Sequence, residues 1–311
     1  MANRRTLLIG TRGSRLARIQ AETVREMLSS LHPDRVWLLR EIRSEGDVRR
    51  QASLASIGGR GVFVKALEDK LLAGEIDLAV HSLKDMPTRL ATGLKIGAVL
   101  PREDARDALV SRDGSTLDDL PTGAVVGSGS ARRQAQLLAY RSDLVVQDVR
   151  GNVDTRLRKL TSGGYDAMIL AAAALIRLQH TSAISQWLPL TLMLPAVGQG
   201  ALAIEVRETD EEVRALVQPL NHSPTETAVT AERAFLSALG GGCTVPVAAH
   251  AAVAHGRLIL QGLVANLNGK NVIRASLSGS PLQAEDIGRR LADRMLSQGG
   301  AQILREAESV Q

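Results

Sequence analysis

Short apolar runs alternate with amphipathic stretches through the first half of this chain, and the alternation occurs twice. The first pass predicts strands over residues 6–10, 36–39 and 77–80, with helices over 14–30 and 63–73. A second pass after residue 101 predicts strands over 124–127, 144–146 and 167–170, with helices over 130–140 and 152–161. Both passes contain a similar run into a buried strand: Gly74-Glu75-Ile76-Asp77-Leu78-Ala79-Val80 in the first, Gly163-Gly164-Tyr165-Asp166-Ala167-Met168-Ile169 in the second. Strands separated by helices pair in parallel, because the crossover helix returns the chain to the same sheet edge. The repeat therefore predicts two similar, doubly wound α/β domains, each with a largely parallel sheet. From residue 219 the texture changes. A helix over 225–239, alternating segments over 247–251 and 258–264, and a last helix over 281–296 read as a smaller C-terminal α+β domain. The boundaries so read are 1–101 with about 201–218, then 102–200, then 219–311. Residues 44–61, poor in apolar side chains, read as a long loop of the kind that serves as a lid.

A chain of 311 residues is too long for one typical core, which agrees with several domains. The charge balance, 38 basic against 33 acidic residues, suggests an anionic partner. Nucleic acid fits poorly, since aromatic residues make up only 2% of the chain and no basic run of five or more occurs, so stacking platforms and basic tails are both missing. The apolar stretch after the basic N-terminal residues is too short for a signal peptide, no run approaches the roughly 18 apolar residues of a membrane helix, and a lone cysteine suits a reducing compartment; a cytoplasmic protein is expected. The six histidines are scattered without metal-ligand spacing, so no metal site is expected. Gly127-Ser128-Gly129-Ser130-Ala131-Arg132 has arginine where a dinucleotide fingerprint needs its third glycine, and Gly58-Gly59-Arg60-Gly61 lacks the ending of a P-loop.

Arginines recur at one structural place. Arg12 follows the first strand and precedes a helix capped by Ser14; Arg132 and Arg133 open the helix headed by Ser130; Arg150 ends a strand just before Asn152 caps a helix that carries Arg156. In a parallel α/β sheet this is the carboxyl edge, where helix N-termini offer amide hydrogens to anions and guanidiniums grip oxyanions bidentately. A ligand with several carboxylates or phosphates fits such an edge. On the same edge comes Val80-His81-Ser82-Leu83-Lys84-Asp85-Met86-Pro87. Asp85 reads either as a turn cap or ion-pair partner, or as the carboxylate that stabilises a cationic intermediate among these cations. The one thiol, Cys243, lies in Gly240-Gly241-Gly242-Cys243-Thr244-Val245-Pro246. That glycine turn can present a reactive sulfur, and a small buried apolar side chain is the other reading.

Taken in order, Thr11-Arg12-Gly13-Ser14, the run from Val80 to Pro87, Ser130-Ala131-Arg132-Arg133-Gln134, Arg150-Gly151-Asn152-Val153-Asp154-Thr155-Arg156-Leu157, Leu194-Pro195-Ala196-Val197-Gly198-Gln199-Gly200 and the cysteine turn resemble the porphobilinogen deaminase (hydroxymethylbilane synthase) family. The resemblance implies two solute-binding-protein-like α/β domains and a cofactor-bearing third. It implies a transferase of tetrapyrrole biosynthesis, acting as a monomer, that joins four porphobilinogen molecules head to tail with release of ammonia and then frees the linear product by hydrolysis. Cys243 would hold a dipyrromethane cofactor through a thioether, with Lys84, Ser130, Arg132, Arg133, Arg150 and Gly151 around it. Asp85 would be the catalytic carboxylate. Arg12, Ser14, Ser82, Arg150, Arg156, Arg177 and Gln199 would bind substrate carboxylates, and Gly58, Gly59, Arg60 and Phe63 would belong to the lid. Ser56, Arg60, Gly129 and Ala174 depart from the residues usual in relatives. The rival reading, a cytoplasmic anion-binding module of solute-binding-protein type, accounts for two α/β domains but leaves Cys243 and the third domain without a task.

Overall fold

The structure is a computed structural model that describes residues 6–42, 61–240 and 245–309, with backbone alone at 61–63 and 307–309. The lid positions Gly58, Gly59 and Arg60, the departure Ser56, and Cys243 lie outside the described residues, as does the side chain of Phe63. The strands, in chain order, are β1 (Thr6–Arg12), β2 (Val36–Ile42), β3 (Leu78–Ser82), β4 (Leu94–Val99), β5 (Asp107–Ser111), β6 (Val125–Gly127), β7 (Val145–Gln147), β8 (Ala167–Ala171), β9 (Gln186–Trp187), β10 (Leu202–Arg207), β11 (Val247–Ala254), β12 (Arg257–Ala265) and β13 (Val272–Gly279). The chain forms two compact units, Met1–Arg102 with Ala201–Glu226, and Glu103–Gly200 with Thr227–Gln311.

The first unit is built on a sheet of order β2-β1-β3-β10-β4. β1 runs parallel to β2 and β3, whereas β10 is antiparallel to both β3 and β4. The helix Arg15–Leu31 covers one face. Ser14 caps it by accepting the Ala17 amide at 3.2 Å, and it ends where the His32 amide returns to the Leu28 carbonyl, just before Pro33. Its buried stripe of Ala21, Val24 and Leu28 packs on Leu7, Ile9, Leu78 and Ile204 of the sheet.

The sheet of the second unit repeats this order as β7-β6-β8-β5-β9, again with four parallel strands and one reversed strand, β5, beside the central one. The sequence repeat has a mechanical purpose in both sheets. Gly74 and Gly163 turn the chain with φ of 70° and 88°, conformations that favour glycine. The aspartate three residues on then pins the neighbouring strand: Asp77 accepts the Leu8 amide at 2.7 Å, and Asp166 accepts the Val125 amide at 2.8 Å.

The second unit also holds the antiparallel sheet β11-β12-β13, packed on the helices Ser223–Ala238 and Ala284–Met295 around Phe235, Leu260, Leu291 and Met295. A Cβ at Gly262 would stand 2.7 Å from the Phe235 ring, so the ring needs a glycine there. This sheet joins the α/β part through Ala135, Leu194, Ala248, Leu263 and Ala265. The helix expected over 281–296 is not the last. A π-helical turn at Leu296–Gly300, with Gly299 at φ 106°, leads into a further helix, Ala301–Ser309. The Gly-Gly pair reads locally as a stop, but here it bends the chain and lets Ile303 and Leu304 join the core. Among the described residues no helix is long and apolar enough to cross a membrane.

Candidate active site

In the first unit the carboxyl ends of β1 and β3 lie side by side, and the loops that leave them build one cavity. Arg12, Ser14, Gln20, His81, Ser82 and Asp85 contribute to its lining. Ser82 is held by the amide of the buried Gln20, with oxygen–nitrogen and oxygen–oxygen separations of 3.0 and 3.1 Å. Lys84 and Asp85 share the single turn Leu83–Asp85 that follows β3, and Lys84 is not among the cavity's lining residues. Asp85 is half-buried, and among the described residues its carboxylate has no hydrogen-bond or ion-pair partner. His81, at the cavity wall, lies 2.9 Å from Glu205 on the paired strand β10; both are buried, at ion-pair distance but without hydrogen-bond alignment. Burial, and then the charge of Glu205, push the nearby Glu68 carboxyl above the ordinary range.

In the second unit the equivalent edge carries the other arginines. Ser130 stands at the N-cap of the helix Ala131–Tyr140, yet its hydroxyl makes no capping bond. Asn152 does cap its helix, accepting the Thr155 amide at 2.9 Å. Arg150 is exposed and donates from Nε to Asp148 at 3.1 Å, while Arg156 donates from Nε to the Gly151 carbonyl at 2.9 Å. Gly151 has φ 114°, and a Cβ there would meet Thr155 at 2.8 Å, so this turn between strand and helix admits glycine. Gly129 has a reason of the same kind: a side chain would press on the Asp148 carboxylate at 2.8 Å and the Val149 carbonyl at 3.2 Å, and Asp148 is what holds Arg150. The departure Ala174 is buried in the short helix Ala172–Arg177. Arg177 donates to the Gly200 carbonyl at 2.7 Å; burial pulls its guanidinium below the usual range, against the opposing effect of Glu103.

Arg132 and Arg133 are buried, at 5% and 7% exposure, and the carboxylate they grip is the protein's own. Arg132 donates from Nη1 to Asp107 and to the Leu194 carbonyl, each at 2.7 Å. Arg133 donates to Asp107 from Nε and Nη2, at 3.1 and 2.7 Å, and from Nη1 to the Ile169 carbonyl at 2.9 Å. The amide nitrogen of buried Gln199 adds a donor to Asp107 at 2.9 Å. Burial alone would push the Asp107 carboxyl up; the charges and hydrogen bonds of Arg132 and Arg133 outweigh it and hold the group well below the carboxylate range. Sequence reading missed Asp107, Gln20 and His81. The signal for Asp107 was an aspartate opening an apolar strand, which by itself reads as a surface residue.

Each unit's edge offers cations, hydroxyls and a helix N-terminus to acidic groups, and the first unit's cavity adds Asp85, a carboxylate without a partner among the described residues. A family profile described as "Porphobilinogen deaminase, dipyromethane cofactor binding domain" matches residues 7–215, and "Porphobilinogen deaminase, C-terminal domain" matches residues 226–297. The chain belongs to the porphobilinogen deaminase family. A protein named porphobilinogen deaminase from Desulforudis audaxviator is 50% identical to it over 97% of both chains. Those of the same name from Moorella thermoacetica and Brevibacillus brevis are 49% and 47% identical, over 97% and 96% of this chain and 96% of each of theirs. Among family members, then, this chain matches its relatives from end to end, including the C-terminal part that a free-standing anion-binding module would not need.

Proposed function

We propose that this chain is a hydroxymethylbilane synthase, a transferase of porphyrin and heme biosynthesis that joins four porphobilinogen molecules head to tail, with loss of one ammonia for each, and releases the linear tetrapyrrole by hydrolysis. A monomer in the cytoplasm is proposed with it. The observation that carries the reaction is Asp85, a carboxylate without a partner among the described residues, in a cavity that Arg12 also lines. The alternative of a cytoplasmic anion-binding module leaves that carboxylate unused, since it would repel an anionic ligand.

Dipyrromethane would offer its acidic side chains to Ser130, Lys84, Arg150 and the backbone at Gly151, while Arg132 and Arg133, expected beside it from the sequence, are buried on Asp107 and would support that edge from within. Bound as a thioether to Cys243, it supplies the free ring carbon to which the first substrate is joined. Arg12, Ser14 and Ser82 hold the acetate and propionate of an incoming porphobilinogen, and Arg150, Arg156, Arg177 and Gln199 hold those of rings already added. The substrate's C–N bond breaks with its electron pair leaving on the nitrogen as ammonia. The ring nitrogen that feeds electrons toward the vacated carbon becomes positive, and Asp85 stabilises that charge.

The test is the intact mass of the purified protein, which is expected to exceed the chain by two linked pyrrole units. Cys243→Ser is expected to lose adduct and activity together, because oxygen is a much weaker nucleophile than a thiolate. An active enzyme with the mass of the bare chain would refute the proposal.

A further inference from the structure

His81 and Glu205 form a buried pair for which the chemistry of the site has so far no use. β3 and β10 are antiparallel, with Ala203 opposite His81 and Ala79 opposite Glu205, so all four side chains stand on one face of the sheet and the two alanines leave room for the longer pair. Ala79 packs there with Leu67 and Leu71 of the helix Gly61–Leu72. The same helix brings in buried Glu68, whose carboxyl is pushed above its ordinary range by burial and then by the charge of Glu205, with His81 acting the other way. All of these residues belong to the first unit. Glu205 is fully buried and neither of its oxygens has a hydrogen bond; among the described residues its ion-pair partner is Nε2 of His81 at 2.9 Å. A charged carboxylate in such a place is costly unless a donor or cation faces it. Because a carboxylate only accepts, the imidazole turns a hydrogen toward it on Nε2, and Nδ1 is then the nitrogen that keeps the lone pair.

His81 lines the same cavity as Asp85 and Arg12. Each joining of two rings sets one proton free. The free ring carbon gives an electron pair to the carbon that ammonia has left; the C–H bond at that ring carbon then returns its pair to the ring, and the hydrogen departs as a proton. Asp85 cannot keep this proton and still be the negative charge that steadies the next ring, and a guanidinium such as that of Arg12 has no lone pair to take it. We propose that His81 accepts the proton at Nδ1, and that Glu205 is its positioning residue, holding the ring through Nε2 and balancing the imidazolium once it forms. The inference rests on the function proposed above. Imidazole is the side chain that exchanges protons near neutral pH, so the imidazolium hands its proton on to ammonia or water and is ready for the next ring.

The experiment uses the full-length protein carrying its cofactor, with porphobilinogen deuterated at the free ring carbon as the probe. His81→Gln alone strands a buried charge and endangers the fold, so the deciding variant combines His81→Gln with Glu205→Gln and removes both charges together. Its turnover is expected to fall on the order of 10²-fold with KM little changed, the scale for losing a positioned proton acceptor. The deuterium isotope effect on turnover is expected to rise at the same time, because removal of the ring proton has become slow. Nitrogen NMR of histidine-labelled protein at neutral pH gives a readout apart from turnover: the His81 ring is expected to carry its proton on Nε2 in the wild type and to lose that preference in Glu205→Gln. A double variant that turns over at the wild-type rate, or slows with an unchanged isotope effect, would make the pair structural and overturn the inference, as would a proton on Nδ1 in the wild type. Should the double variant not fold, the wild-type spectrum decides. A wild-type protein that makes no linear tetrapyrrole from porphobilinogen would overturn the proposed function itself.

Discussion

Asp85 and Asp107 are the same side chain in opposite situations. Asp107 receives four donors from Arg132, Arg133 and Gln199 in a buried site, whereas Asp85 receives none among the described residues and lines a cavity. Neutralising each should therefore have a different signature. Asp85→Asn loses no internal bond, so its melting temperature is expected to match the wild type, while turnover falls by at least ~10²-fold, the scale for removing a positioned electrostatic group. Steady-state kinetics beside a melting curve measures both, and near-normal turnover would remove Asp85 from the chemistry. Asp107→Asn leaves two buried guanidiniums facing a neutral amide, and breaking a buried pair in this way costs about 3–5 kcal/mol.

Among the elements, two serines head equivalent helices and do different work. Ser14 makes the capping bond to Ala17, and Ser130 makes none. Ser14→Ala is expected to cost about 1 kcal/mol in urea unfolding, the usual value of an N-cap, while Ser130→Ala costs less and instead weakens retention of ligand carboxylates. Equal losses in the two variants would refute this division. The helix Val153–Thr161 and the turn before it carry Arg156, which donates to the Gly151 carbonyl, and Arg150, which donates to Asp148. Replacing either with leucine is expected to stall elongation, each at its own chain length, because each is needed when a particular ring occupies it. Arg289 and Arg290, exposed and paired with Glu285 and Asp286 one turn away, are the controls, and their replacement should leave the ladder of intermediates unchanged. Mass analysis after limited substrate reads the ladder; the same mild slowing in all four variants would mean that the cations act only through the overall field.

For the whole molecule, the buried charge at Asp107 predicts how stability responds to acid. Its folded value lies below the ordinary 3.8, so the stabilisation is complete above that pH and is lost as the pH falls from there toward the depressed value. The stability gap between wild type and Asp107→Asn, measured as urea midpoints, is expected to be constant near neutrality and to narrow below about pH 4. A gap that stays constant in acid would show that the pair does not hold its charge. Much of this architecture was legible in the chain because it depends on local rules. The periods of helix and strand, the caps at Ser14 and Asn152, and the paired Gly74–Asp77 and Gly163–Asp166 turns all act within a few residues, and they determined two α/β domains of one design with arginines at the strand ends. Tertiary structure alone decided the rest. The reversed strands β5 and β10 sit beside the centre of each sheet because distant partners bury them, and β13, half-exposed along its length, is a strand only by pairing with β12. It likewise decided that Arg132 and Arg133, which look like surface cations in sequence, turn inward: a buried carboxylate from another strand is there to meet them, and no local pattern records a partner brought together by the fold.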